Sequence, residues 1–324
     1  MMSPTVEAEQ VNLYSARKEA LIKPLLDKFT QQTGITVNLV TGKADNLITR
    51  LKSEGKYSPA DILLTTDVGR LYRAKQQGLT QQIEMSDAIA TLPNNFRDEQ
   101  GYWLGLSLRA RTLMVSVDSA DANSMIDLED LITPHWKGRV CIRSSSNIYN
   151  QSMVASLIAQ LGETAAQEWV NGLVKNFARS PQGGDRDQIK AVAAGLCDVA
   201  IANTYYLAGM LGSEDKTTRQ EAKKVKVVWP NQTNRGTHIN ISGVALAKYA
   251  PNKAAAVKLI DFLLSKESQL WYATTNHEYP VLPDIAWSEL LQSFGTFKTE
   301  EIHLGKLGEL NAAAVKMMDR AQWK

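Results

Sequence analysis

Three tyrosines stand where the chain is about to change its local structure. Tyr149 closes the run Arg143-Ser-Ser-Ser-Asn-Ile-Tyr149, and Tyr205 and Tyr206 close Asn203-Thr-Tyr-Tyr206. The first run lies between a β-like segment, Val140–Ile142, and an amphipathic stretch that begins at Gln151. The opening turn of a helix leaves backbone N–H groups free, and its dipole favours an anion there. Ser144, Ser145, Ser146 and Asn147 add side-chain donors and plausible caps. A well-capped helix with no ligand explains the same residues. The second run follows the apolar segment Cys197–Ala202 directly. Neighbours on a regular strand point to opposite faces, so Tyr205 and Tyr206 share one space only on an irregular turn. With 10 tyrosines in 324 residues, one Tyr-Tyr pair is within chance.

Taken together the two runs say more. Neighbouring strands would deliver Tyr149, Tyr205 and Tyr206 to one place, beside a helix terminus suited to an anion. A free phenol titrates near pH 10 and ligates soft or borderline metals poorly. A small trivalent cation displaces the phenolic proton and gains a hard anionic oxygen. Fe(III) is the biologically common ion of that kind. Three phenolates match its charge, and a bidentate anion such as carbonate fills two further positions. Arg111, Arg109 or Arg17 would hold that anion through charge-assisted hydrogen bonds.

The elements that position these residues alternate. Val11–Tyr14, Ile35–Val40 and Ala60–Leu64 read as strands. Between and after them, Glu19–Thr33, Asn46–Glu54 and Val68–Gln77 read as helices. This is half of a doubly wound unit, in which ligands bind beyond the carboxyl ends of strands. Trp103–Val117 is long enough to cross from one lobe to another, and His238–Ala247 is a second crossover. Between them the pattern predicts the strands Val140–Ile142, Asp198–Ala202 and Val225–Trp229. Helices are expected at Gln151–Leu161, Ala165–Asn176 and Asp187–Ala194. Later helices are expected at Lys253–Leu264, at Glu267–Thr274 and from Glu300 onward. Two crossovers around a middle α/β section describe two hinged lobes with a central cleft. The expected division is residues 1–110 with 238–288, against 111–237 with 289–324.

Composition excludes several classes. Hydrophobic residues make up 44% and charged residues 22%, which is ordinary for a globular chain. The net charge of +2 comes without a Lys/Arg block, so nucleic-acid binding has no support. No stretch reaches the roughly 20 apolar residues that span a bilayer. The opening Met-Met-Ser-Pro-Thr-Val-Glu-Ala-Glu-Gln lacks the regions of an export signal. It is expected to be a mature sequence with its signal removed, although a cytoplasmic chain would look the same. His135, His238, His277 and His303 are dispersed and form no metal-ligand spacing. Cys141 and Cys197 each precede a tyrosine, Tyr149 or Tyr205, by eight residues. Equal offsets suit neighbouring strands joined by a disulfide in an oxidising compartment; two separate buried thiols suit them equally.

The chain resembles the periplasmic ferric-ion-binding proteins of bacterial ABC transporters over nearly its whole length. The resemblance is carried by Val11-Asn-Leu-Tyr-Ser-Ala-Arg17, Ser58-Pro-Ala-Asp-Ile-Leu-Leu-Thr65, Gly105-Leu-Ser-Leu-Arg-Ala-Arg111, Arg143–Tyr149 and Asn203–Tyr206. It implies an α/β fold of the type II periplasmic binding protein kind, with two doubly wound lobes joined by crossover strands. It further implies a monomer, iron ligands at Tyr149, Tyr205 and Tyr206, and delivery to a permease in the inner membrane. Ser144 and Asn147 join the arginines as anion-binding candidates. Two positions depart from the family. Lys18 and Glu19 stand where some members place further ligands, and Asp67 stands where some use Glu. A protonated Lys18 cannot ligate, whereas Glu19 is a possible additional ligand. The implied subgroup therefore uses three tyrosines and an exogenous anion. A same-fold protein for a polyamine, thiamine or phosphonate is the main alternative. An enzyme on this scaffold lacks any nominated acid/base pair.

Overall fold

A computed structural model describes residues 9–119 and 126–324. The opening residues on which the export expectation rests, Met1–Ala8, lie outside the described residues. The chain divides into two compact units. One holds the chain up to Ser107 with Ile241–Thr275 and Pro280–Ile285; the other holds Leu108–Asn240, Asn276–Tyr279 and Ala286–Lys324.

In the first unit the strands β1 (Gln10–Ser15), β2 (Thr36–Thr41) and β3 (Ile62–Thr66) alternate with the helices α1 (Glu19–Thr33), α2 (Ala44–Glu54) and α3 (Val68–Gln76). Strand β1 pairs in parallel with β2 on one side and β3 on the other. The spacing of Ile22, Leu25, Leu26 and Phe29 gives α1 one apolar face, and all four are buried. Gly34 ends that helix at φ +74°, a left-handed backbone that glycine takes without penalty, and its N–H bonds the Thr30 carbonyl at 2.8 Å. A short strand β4 (Thr80–Gln81) and helix α4 (Asp87–Ala90) follow.

Strand β5 (Leu104–Ser116) starts in the first unit and ends in the second. The second unit continues with β6 (Val140–Cys141), α5 (Ile148–Lys175), α6 (Asp185–Ala193), β7 (Val199–Asn203), α7 (Thr204–Leu211), α8 (Lys216–Ala222) and β8 (Val225–Val228). Its sheet pairs β6 with β7 in parallel, and β5 antiparallel with both β7 and β8. Gly162, at φ +82°, breaks α5 into two helical runs, as its sequence pattern predicts. Strand β9 (Ile239–Ala247) carries the chain back, pairing antiparallel with β3 in the first unit. Helices α9 (Lys253–Leu264) and α10 (Lys266–Thr275) complete that unit's order, and the chain enters the second unit again at Asn276–Tyr279.

Two expectations need correction at this level. Tyr149 belongs to the first turn of α5, which begins three residues before Gln151, and not to the loop ahead of it. Tyr205 and Tyr206 lie on the first turn of α7, a helix the strand pattern hid, and not on an irregular turn. Successive helical side chains are about 100° apart, so both rings can serve one side.

Cys141 and Cys197 form a disulfide with Cα atoms 5.9 Å apart. It sits in a buried cluster with Met114, Ala200, Leu207 and Met210, against which Tyr206 packs.

Candidate metal centre

The start of α5 is built by its own side chains. Asn147 is the cap, its Oδ1 accepting the Tyr149 N–H at 3.1 Å. Ser144 Oγ accepts the Ser146 N–H at 3.2 Å and lies 2.9 Å from Ser146 Oγ. Asn150 Nδ2 donates to the carbonyls of Arg143 (2.9 Å) and Ser144 (3.1 Å), which curls the loop against the helix.

Beneath that loop lies Arg111 on β5, in register with Asn203 on β7. Its Nη1 donates to Asp185 Oδ2 at 3.0 Å and to Asn203 Oδ1 at 3.1 Å, and its Nη2 donates to Asn150 Oδ1 at 2.5 Å. Asp185, the first residue of α6, also accepts the Asn203 N–H at 2.9 Å. One buried guanidinium therefore ties the starts of α5 and α6 to the end of β7. The sequence nominated Arg111 for an exogenous anion. In the fold its two terminal nitrogens donate to protein acceptors, among them Asn203, its partner in the strand register.

Arg109 lies two residues earlier on β5, so its side chain leaves the same face. Its Nη1 donates to the Tyr149 hydroxyl at 3.2 Å, and its guanidinium carbon is 4.8 Å from the centre of the Tyr205 ring. Nη2 pairs with Glu278 Oε1 at 2.9 Å. Tyr205 and Tyr206 have ring centroids 4.3 Å apart, and Asn203 Nδ2 lies 3.4 Å from the Tyr205 hydroxyl. Arg143 is 6.0 Å from the Tyr149 ring centre and makes a long 3.4 Å pair with Asp185. The structure thus brings Tyr149, Tyr205 and Tyr206 into one neighbourhood, with Arg109 linking Tyr149 to Tyr205.

The electrostatics follow from this crowding. Burial pushes the Tyr205 phenol well above the ordinary tyrosine value, and a negative charge on Tyr149 raises it further, while Arg109 opposes both. Tyr206 is raised by burial first, then by Tyr149 and Asp185. Burial works against the charge on Arg109, yet Glu278 and the two phenols hold its pKa well above the usual arginine range. Tyr205 and Tyr206 therefore keep their protons at neutral pH until a cation offers more than the proton does.

The remaining candidates sit elsewhere. Arg17 is in the first unit, with Nη2 3.1 Å from Ser107 Oγ and its guanidinium 5.4 Å from the Tyr272 ring centre. Glu19 is the exposed first residue of α1, and Asp67 caps α3 by accepting the Gly69 N–H at 2.8 Å. His238 is buried against Glu300 in the second unit, Nδ1 to Oε1 2.6 Å. Among the described residues no group of three or more His, Cys, Asp and Glu is placed to hold a metal. Glu278, Asp185 and Asn150 escaped the sequence reading. Asp185 did carry a signal, since it follows Gly183-Gly184 at a helix start; Glu278 carried none.

An α/β chain of two units, strung on long shared strands and presenting clustered phenols, defines a solute-binding protein. The pattern of the bacterial extracellular solute-binding proteins matches residues 25–299, and the chain belongs to that family. Iron uptake protein A1 of Synechocystis is 46% identical over 318 residues, 98% of this chain and 88% of its own length. A Trichodesmium structure described as in complex with iron and citrate ligands superposes with a TM-score of 0.94 at 46% identity, covering 97% of this chain and all of that one. The open conformation of ferric iron-binding protein A from Mannheimia haemolytica gives 0.91 at 41% identity, covering 98% and 99%. The resemblance to ferric-ion-binding proteins is thereby borne out, and these relatives are binding proteins of uptake systems, not enzymes. No helix among the described residues is long and apolar enough to cross a membrane.

Proposed function

We propose that this chain captures Fe(III) in the periplasm through the phenolates of Tyr149, Tyr205 and Tyr206 and hands it to an ABC-type permease. The observation that carries the reading is the contact of Arg109 with both Tyr149 and Tyr205, which gathers phenols from two helix starts around one cation. Three phenols that give up their protons supply three negative charges, and a ferric ion is the biological cation that matches them. Arg109 adds a positive charge beside this anionic set, and its pairing with Glu278 keeps the local sum near that of the metal-free site. An exogenous anion completes the coordination. Carbonate fits as a small bidentate donor; citrate is the second candidate, since the Trichodesmium relative is described with iron and citrate. Ser144, Asn147 and Arg143 surround the start of α5, where either anion would be met by helix-terminal N–H groups.

Capture without catalysis needs only a difference in affinity between states. The loaded protein is recognised by the permease because iron favours one conformation over another. Each iron bound releases the phenolic protons, so acid competes with the metal and favours release.

The test is an absorbance titration of the metal-free protein with ferric citrate, with and without bicarbonate. A visible phenolate-to-iron band saturating at one iron per chain supports the reading. Dependence on bicarbonate supports carbonate, and indifference points to citrate. Absence of any band refutes the phenolate site and directs the search to organic solutes.

A further inference from the structure

The two halves of the phenol cluster reach it by separate paths. Cys141 ends β6, and eight residues later α5 presents Tyr149; Cys197 precedes β7, and eight residues later α7 presents Tyr205. Strand β6 is only two residues long and meets β7 at Val140↔Val199 and Cys141↔Ala200. Two residue pairs are a weak ladder on which to set the spacing of two helix starts. The disulfide adds a covalent tie at that seam. It is also continuous with the apolar cluster that seats α7, through Leu207 and Met210, and Tyr206 packs on the same cluster.

We propose that the Cys141–Cys197 disulfide is a positioning element of the phenol site, so that the three-phenol arrangement is complete only in the oxidised chain. The proposal rests on the ferric reading above. With the bond broken, the segment leading to Tyr149 keeps the short ladder, the Arg139–Asp198 pair and the Arg111 brace but loses its covalent tie, and Tyr149 shifts relative to Tyr205 and Tyr206. A dithiol reductant makes the change by exchange. One of its thiolates attacks one cystine sulfur, and the S–S bond breaks with its electron pair leaving on the other cysteine. The second thiol of the reductant then displaces the first cysteine. Two cysteine thiols and a cyclic disulfide result, and two electrons and two protons have passed. Both half-cystines are buried, so the exchange waits on local opening. A chain kept in a reducing compartment would therefore load iron poorly, and capture would follow its arrival in an oxidising one.

The experiment compares wild type with the Cys141→Ala/Cys197→Ala double variant by ferric titration, at a temperature where circular dichroism shows both folded. The expected result is a weaker, shifted phenolate band and a ferric affinity reduced by about 10- to 100-fold, the size of loss seen when support of a metal ligand is removed. A purely structural bond would lower the unfolding midpoint and leave the band and the affinity unchanged; that result overturns the proposal. Should the double variant not fold, the wild type is reduced with dithiothreitol in mild urea, returned to buffer and titrated with gallium(III), which thiols do not reduce. Tyrosinate difference absorption must then fall on reduction and recover on reoxidation. If the reduced chain also fails to fold, the bond serves stability alone and the proposal is overturned. If the oxidised wild type itself shows no iron band, the ferric reading has failed, an outcome distinct from loss in the variant only.

Discussion

Arg109 and Glu278 form an ion pair of 2.9 Å between side chains that are 7% and 2% exposed, across 169 positions of sequence. The pair explains how a full positive charge is kept beside Tyr149 and Tyr205 without solvent. Burial alone would penalise that charge, and the Glu278 carboxylate offsets the penalty.

Removing one partner leaves the other charged and buried. Glu278→Ala should therefore destabilise the metal-free protein by about 3–5 kcal/mol. Urea unfolding monitored by tryptophan fluorescence measures it; a change below about 1 kcal/mol, the scale of an exposed pair, would contradict the buried-pair account.

Single replacements Tyr149→Phe, Tyr205→Phe and Tyr206→Phe each remove one phenol oxygen and keep the ring; the first two also remove the acceptors of Arg109 Nη1 and Asn203 Nδ2. Ferric affinity should fall by more than about 100-fold in each, beyond the usual loss from a supporting residue. Tyr57→Phe is the control, because that side chain is 83% exposed on the first unit. Equal affinity in all four variants would remove the phenols from the site.

Burial raises the phenols of Tyr205 and Tyr206 in the metal-free fold. In the unfolded chain they titrate near pH 10. Their folded-state pKa is the higher one, so the stability they contribute is complete below about pH 10 and is lost as pH rises through the folded values. Ultraviolet titration should accordingly find these two phenols ionising after the exposed tyrosines. Replacing both with phenylalanine should flatten the alkaline loss of stability.

His277 behaves in the opposite sense. Burial lowers its pKa, with Glu278 acting weakly against that. The unfolded chain takes up the proton first on acidification, so stability drops as pH falls below about 6.5, the ordinary histidine value. Urea midpoints between pH 7.5 and 5 should decline less steeply in His277→Gln than in wild type.

The cap of α5 can be tested alone. Asn147→Ala removes the acceptor of the Tyr149 N–H and should cost about 1 kcal/mol in unfolding experiments. Asn147→Asp keeps an acceptor and should retain most of that stability.

Much of this protein is determined by short-range pattern. The spacing of Ile22, Leu25, Leu26 and Phe29 suffices to set α1, and Gly34 and Gly162 break helices because only glycine takes their backbone angles cheaply. Alternating apolar runs give the α/β class, and the placing of three tyrosines after two apolar runs already suggests the neighbourhood that they share. Those signals are local, so they are legible in sequence. The rest depends on which strands become neighbours. Register opposite Asn203 makes Arg111 a brace between the starts of α5 and α6 and the end of β7. Pairing of β6 with β7 decided that Cys141 and Cys197 would join. The return of the chain at Asn276–Tyr279 supplied Glu278 to Arg109. Such contacts join positions 39 to 169 residues apart, and their energy exists only once the sheet has closed the distance.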